Sequence, residues 1–269
     1  MGGENLKILA IGDVCGDSGC NFLLKALPKL KKEYSVDLTV VNGENSAEGN
    51  GISKSSAGLI LSAGADVITG GNHTLRRKDF RNLLDQNEFF LRPHNMPEAE
   101  FGSGYCLIDL GRTRAAVINL LGQVYLDLHK AENPFKFADE LLERAKNDGA
   151  TVTVVDFHAE ATSEKRALGF YLDGRASVVF GTHTHVQTND AQVLPCGTGY
   201  ITDLGMTGPL QSVLGVVPEI IIDRFKNGGS GRFLPAEGET SLQGAIFEID
   251  DKSGLCLSVK VVNIGENLI

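Results

Sequence analysis

The chain has 269 residues, 42% of them apolar and 22% charged, which is material for a large core and excludes disorder, collagen and coiled coil as overall descriptions. Acidic residues number 34 against 25 basic ones, a net charge of −9 that argues against general binding to a nucleic-acid backbone while allowing a phosphate at one local site. The longest uncharged stretch, residues 204–218, is interrupted by Gly and Pro and falls short of the ~20 apolar residues that a membrane-spanning helix needs.

A short apolar run over residues 6–11 predicts the first strand. Residues 20–33 carry Leu23, Leu24, Leu27 and Leu30 at helical spacing, 37–41 predict a second strand, and 53–63 a second helix with Ser53 as its N-cap. A third strand and helix follow over 66–69 and 78–86. Next come a strand over 115–120, a helix over 133–146 with Pro134 in its first turn, a strand rich in β-branched residues over 151–157, a helix over 164–172 and a strand over 176–180. Strands separated by helices predict βαβ units and a largely parallel sheet. From residue 192 onward, strands over 200–203, 245–249 and 257–262 come without clear helices, which predicts a second, more antiparallel sheet. Residues 227–239, with Gly228, Gly229, Gly231 and Gly238, read as a loop. No repeat or linker interrupts the pattern, so one domain over 1–269 is expected.

The five cysteines (Cys15, Cys20, Cys106, Cys196 and Cys256) are odd in number, scattered, and without a CxxC pair, which reads as free thiols in a reducing compartment. Residues 1–10 lack an apolar signal-peptide core and carry Glu4 and Lys7. Gly2 is followed at position 6 by Leu rather than the Ser or Thr of a myristoylation signal. A cytoplasmic protein without a membrane partner is expected, and the oligomeric state, including a homo-oligomer, is left open.

Glycine is in excess, 32 residues, clustered where apolar runs end. In open α/β sheets ligands bind at the carboxyl ends of strands, so the residues after each run matter most. They are Gly12-Asp13, then Asn42-Gly43-Glu44-Asn45, then Gly70-Gly71-Asn72-His73, then His158, then Gly181-Thr182-His183-Thr184-His185. Taken singly, each has an ordinary reading as a turn former or a hydrogen-bonded core residue. If extended, His183 and His185 project the same way and can face one point. The convergence of the whole set on one sheet edge is what points to chemistry. Oxygen-only cages suit Mg or Ca, whereas mixed imidazole, carboxylate and amide donors suit Mn, Fe or Zn. The set exceeds what one tetrahedral ion needs and is about right for two, with Glu44 able to bridge them. Two such ions keep the site cationic in an acidic protein, so a phosphodiester is attracted there.

The runs Val41-Asn42-Gly43-Glu44-Asn45, Gly70-Gly71-Asn72-His73-Thr74, Asp156-Phe157-His158-Ala159-Glu160-Ala161-Thr162-Ser163-Glu164-Lys165, Gly181-Thr182-His183-Thr184-His185-Val186-Gln187-Thr188 and Thr202-Asp203-Leu204-Gly205-Met206-Thr207-Gly208-Pro209 together resemble the calcineurin-like metallophosphoesterases, and within them the bacterial YmdB-like branch. The resemblance spans nearly the whole chain. It implies a four-layer α/β/β/α sandwich, a binuclear metal centre, and phosphodiesterase activity on cyclic nucleotides, notably 2',3'-cyclic ones. By the same carry-over Asp13, Glu44, Asn45 and His185 would hold one ion, and Glu44, Asn72, His158 and His183 the other. The ions expected are Fe or Mn, with Zn or Mg as alternatives. The wider superfamily begins with Asp-x-His, whereas this chain has Asp13-Val14-Cys15. Asn45 is read as filling the gap, with the Cys15 thiolate as the alternative.

The expected mechanism is in-line attack on phosphorus by a hydroxide bridging the ions, with His73 serving the departing oxygen as general acid. Glu160 and Thr162 are candidates for orienting His158 or the turn that follows it, and Lys165 reads as a solvated helix lysine. Thr207 and Gly208 read as a glycine-rich loop that either walls the pocket or is a plain turn. His94 and His129 read as loop residues. The rival readings are a nucleotide-binding metalloprotein acting as a regulator, a phosphodiesterase acting on RNA ends, and a mononuclear zinc hydrolase. His73 favours the enzyme over the binder, and Asn45 and Asn72 would be idle in a mononuclear site.

Overall fold

The computed structural model describes residues 5–97, 101–126 and 130–266. β1 (Leu6–Ile11) leads through a two-residue strand β2 (Asp13–Val14) to α1 (Gly16–Tyr34), β3 (Leu38–Asn42), α2 (Lys54–Ala63), β4 (Val67–Thr69) and α3 (Lys78–Leu84). The chain then builds β5 (Tyr105–Asp109), β6 (Arg114–Leu121), α4 (Pro134–Asn147), β7 (Val152–His158), α5 (Thr162–Tyr171), β8 (Val178–Thr182), β9 (Gln192–Val193) and β10 (Gly199–Ile201). It closes with β11 (Met206–Pro209), α6 (Pro218–Asn227), β12 (Thr240–Ile249) and β13 (Cys256–Gly265).

Alternation along the strands generates the layers. In β1, Leu9 and Ile11 face α1 and α2, while Leu6, Ile8 and Ala10 face the other sheet. In the second sheet, Val117, Val154, Val178 and Phe180 face inward against that set. Ala116, Ile118, Val155, Phe157 and Val179 face outward against Ala138, Leu141 and Ala145 of α4 and Leu168 of α5. The central strands of the two sheets are buried on both faces, so helix, sheet, sheet and helix stack as the expected four-layer sandwich.

The division of strands between the sheets differs from the sequence expectation. The C-terminal strands do not form a separate antiparallel sheet. β12 pairs antiparallel with β1 and β13 antiparallel with β12, so both extend the first sheet, which has seven strands among the described residues. The second sheet has six strands and is parallel at its centre, β6-β7-β8-β10, with antiparallel partners only at its edges, β5 and β9. Alternating burial identifies a strand and its faces but not its neighbour. α6 and β5 are also additions. The sequence does carry signals for the helix: Pro218 in the first turn, and Gly228 at the C-cap with φ 71°. The five cysteines are free thiols.

Because β1, β3 and β4 are mutually parallel, their carboxyl ends share one edge, and the parallel core of the second sheet brings its own carboxyl ends against it. The two edges are stitched by polar side chains at strand ends. Asn42 Nδ2 donates to Asp156 Oδ2 at 3.1 Å, Thr69 Oγ1 to the same oxygen at 2.5 Å, and the Gly70 N–H to Asn119 Oδ1 at 3.0 Å.

Candidate metal centre

On that shared edge the structure brings together every residue singled out as a ligand from the sequence. His158 ends β7, and its Nε2 lies 3.0 Å from Glu44 Oε1, 3.0 Å from Asn72 Oδ1 and 3.0 Å from His183 Nδ1. Donor atoms of Glu44, His158 and His183 all lie within 4.8 Å of one another. A second group adjoins the first. His185 Nε2 is 3.1 Å from Asn45 Nδ2 and 3.6 Å from Asp13 Oδ1, and Asn45 Nδ2 is 3.3 Å from Glu44 Oε1, which places Glu44 between the two groups. Gly71 belongs to this packing: a Cβ there would overlap the Glu44 carboxylate and the His158 ring.

The outward nitrogen of each imidazole fixes which nitrogen faces the site. Thr182 Oγ1 donates to Asp156 Oδ1 at 2.8 Å and so accepts from His158 Nδ1 at 2.9 Å. His183 Nε2 meets Glu160 Oε2 at 3.0 Å, and His185 Nδ1 meets the Leu214 carbonyl at 3.3 Å. Each ring therefore has an acceptor outside the site for one N–H and turns its other nitrogen inward, beside buried carboxylate and amide oxygens. That is the outer-partner arrangement of metal-binding histidines, and the mixed donor set suits a divalent transition ion.

The titration behaviour follows from the same geometry. Burial alone would hold Glu44 and Asp13 protonated, yet both lie below the usual carboxylate range, because the attractions led by His158 at Glu44 and by His185 at Asp13 outweigh burial. Burial would likewise keep His158 and His185 neutral, but Glu44 raises the one, and Cys15 and Asp13 raise the other well above its ordinary value. His183 goes the other way, pushed down to about 3 by burial and then by the neighbouring charge of His158. Asp156, wholly enclosed behind the site, is pushed up to about 6 by burial against the pull of His158 and its three side-chain donors.

The route to convergence differs from the expected one. His183 and His185 are not extended: their φ values are 97° and 59°, the left-handed region. β8 stops at Thr182, and the turn beyond it aims the rings. Such residues cost of order 1–3 kcal/mol each and persist only where the surroundings hold them. Here the His183 N–H donates to Asp13 Oδ2 at 3.0 Å, and Thr184 donates to Asp203 Oδ2 through its N–H at 3.2 Å and its hydroxyl at 2.7 Å. Lys165, expected in solvent, is 2% exposed and donates to the same Asp203 oxygen at 2.7 Å. Its position three residues into α5 turns it inward behind the His183–His185 turn.

Other readings are revised in the same way. Glu160 orients His183, not His158, and Thr162 opens α5. Thr207 and Gly208 are strand, part of β11, where the Thr207 carbonyl accepts from the Cys15 N–H at 2.9 Å. Cys15 sits close by, its Sγ 3.7 Å from His185 Nδ1, the nitrogen turned away from Asp13. His94 lies outside the cleft, its Nδ1 accepting from the Gly104 N–H. His129 lies outside the described residues. His73 lines the cleft, and its backbone N–H donates to Glu44 Oε2 at 2.9 Å. Asp156, Thr182 and Asp203 are supports that the sequence reading misses. Asp156 has one available signal, a carboxylate two residues before a strand-end histidine on the same strand face.

A sequence model of the YmdB-like protein family matches residues 9–262. The chain belongs to that family. A curated relative, the 2',3'-cyclic-nucleotide 2'-phosphodiesterase of Bacillus subtilis (strain 168), is 44% identical over 262 residues, 97% of this chain and 98% of the relative. Two solved structures superpose over nearly the whole YmdB-like chain. A novel phosphatase from Mycoplasma pneumoniae matches with TM-score 0.92 and 34% identity, over 97% of this chain and 94% of the other. A hypothetical protein from Thermus thermophilus matches with TM-score 0.89 and 37% identity, over 97% and 100% of the two chains. Among the described residues, no helix is long and apolar enough to cross a membrane.

Proposed function

We propose that this chain is a phosphodiesterase that hydrolyses cyclic nucleotides, 2',3'-cyclic ones in particular, at a centre of two metal ions, Fe or Mn. The observation that carries the reading is the inward turn of one nitrogen from each of three imidazoles, each ring held from behind, onto the buried cluster that includes the carboxylates of Asp13 and Glu44. Family membership and the name of the B. subtilis relative support the substrate class. Asp13, Glu44, Asn45 and His185 would hold one ion and Glu44, Asn72, His158 and His183 the other, within one domain over 1–269 that works in the cytoplasm.

When bound, the ions supply positive charge to the phosphate oxygens and bring the pKa of water toward neutrality. The chain does the rest. Glu44 keeps both halves of the centre in register, and its Oε2 accepts from the His73 backbone N–H, so the segment carrying His73 is tied to the same carboxylate. His73 hands a proton to the ribose oxygen that departs as the P–O bond breaks, and recovers one from solvent. Water contributes the hydroxyl that ends on phosphorus, so a 2',3'-cyclic ester opens to a phosphomonoester and a free hydroxyl.

Metal-loaded protein tests the reading directly. With Mn²⁺ or Fe²⁺ it should hydrolyse 2',3'-cyclic nucleotides and bis(p-nitrophenyl) phosphate, and elemental analysis should return close to two ions per chain. A stoichiometry near one, or no turnover with any of Mn, Fe, Zn and Mg, overturns it.

A further inference from the structure

The cleft that holds the donor cluster has a second half of different chemistry. Its volume is ≈ 450 Å³, within the range of small-ligand sites. Glu44, Asn45, His73, His183 and His185 line one side. The other side is built by a single stretch of chain and includes Val213, Leu214, Ile221, Phe225, Phe233 and Leu234. α6 carries two of these residues and has no buried position. Phe225 is 86% exposed and Phe233 47%. Large apolar rings left open beside a polar site are costly in water unless something covers them. The apolar side is also joined to the polar one, because the Leu214 carbonyl is the acceptor that orients His185. Phe233 is held from one side by the Arg224 guanidinium, 4.3 Å from the ring centroid.

We propose that this apolar half is the subsite for the nucleobase of the substrate, which stacks on Phe225 and Phe233, and that it accepts purines and pyrimidines alike. This rests on the phosphodiesterase reading above and specifies where the rest of the substrate lies. A phosphodiester anchored at the donor cluster must place its organic part in the remaining space of the same cleft. The six residues named offer no side-chain hydrogen bond to the edge of a base. Stacking on an aromatic face is tolerant of base identity, whereas strong discrimination needs buried polar groups that would be left unpaired by the wrong base.

The test compares adenosine, guanosine, cytidine and uridine 2',3'-cyclic phosphates with glycerol 1,2-cyclic phosphate, which has no aromatic group. The wild type and the variants Phe225→Ala and F225A/F233A are assayed as metal-loaded protein, with calorimetric titration of adenosine 2',3'-cyclic phosphate in parallel. Wild-type kcat/KM should agree within about tenfold among the four nucleotides. In the double variant the ratio of nucleotide to glycerol-ester kcat/KM should fall about tenfold or more, through KM, with nucleotide affinity weakened by the same factor. An unaltered ratio, or a wild type that strongly prefers one base, overturns the proposal. Failure of the wild type on every phosphodiester, the glycerol ester included, instead overturns the function proposed above. Calorimetry then still decides the subsite: nucleotide binding that weakens in F225A/F233A supports it, and binding that is absent or unchanged overturns it. A changed sedimentation coefficient in the double variant would assign the wall to contact between copies of the chain and also overturn it.

Discussion

The floor and the wall of the cleft are built on opposite principles. At and beneath the floor, Asp13, Glu44 and His158 are at most 1% exposed, and each has polar partners within hydrogen-bond distance. The wall is a helix with no buried residue, carrying Phe225, flanked by loops carrying Leu214, Phe233 and Leu234, all four open to water. Directional interactions lose their worth when displaced by an ångström, so they sit where two sheets and their turns leave no freedom. Apolar contact is non-directional and tolerates displacement, so it can be carried by an element that the core does not hold. Substitutions should therefore behave differently on the two sides.

Lys165→Met should give the largest effect on the floor side. It leaves Asp203 enclosed with its charge uncompensated behind the turn of His183 and His185. A loss of about 3–5 kcal/mol in urea unfolding is expected; a loss under about 1 kcal/mol would mean that the buried pair is not holding the turn. Glu44→Gln comes next. It removes the carboxylate common to both halves of the donor set, and should lower turnover about 10²–10³-fold while elemental analysis shows metal lost. His73→Ala should cost about 10²-fold in kcat with metal content retained. A variant that loses its metal, or keeps its full rate, removes His73 from the role of proton donor.

Much of the floor is legible in the sequence, for a physical reason. Parallel strands end on one edge, so Asp13, Glu44, Asn72, His158 and His183, each placed just past an apolar run, have to arrive near one another once the βαβ pattern is read. What is not legible is anything set by packing between distant segments. Lys165 looks like a surface lysine until α5 is laid on β8. Glu160 looks like a support for His158, two residues away, until the left-handed turn brings His183 to it. β12 and β13 look like a second sheet of their own because periodicity encodes faces and not neighbours. α6 carries its own signals, Pro218 and Gly228 at its ends and Ile221 and Phe225 four residues apart, yet the sequence reading passes over it.

The mildest effects separate floor from wall most sharply. Glu160→Gln keeps the shape of the residue behind His183 and removes its charge, so metal affinity should fall about tenfold, read by competition with a chelating dye. The same experiment has a pH arm with a definite sign. His158 and His185 have raised pKa values, and a metal ion must displace the protons they hold. Affinity should therefore fall as pH drops through those raised values, while His183, neutral down to about 3, contributes nothing to that slope. Phe225→Ala stands at the other extreme. The ring is almost fully exposed and supports no core cluster, so its removal should change unfolding free energy by no more than about 0.5 kcal/mol. If that variant instead unfolds markedly earlier than the wild type, the wall is a structural element packed by contacts not seen in the single chain. The contrast between a fixed floor and an open wall would then be lost.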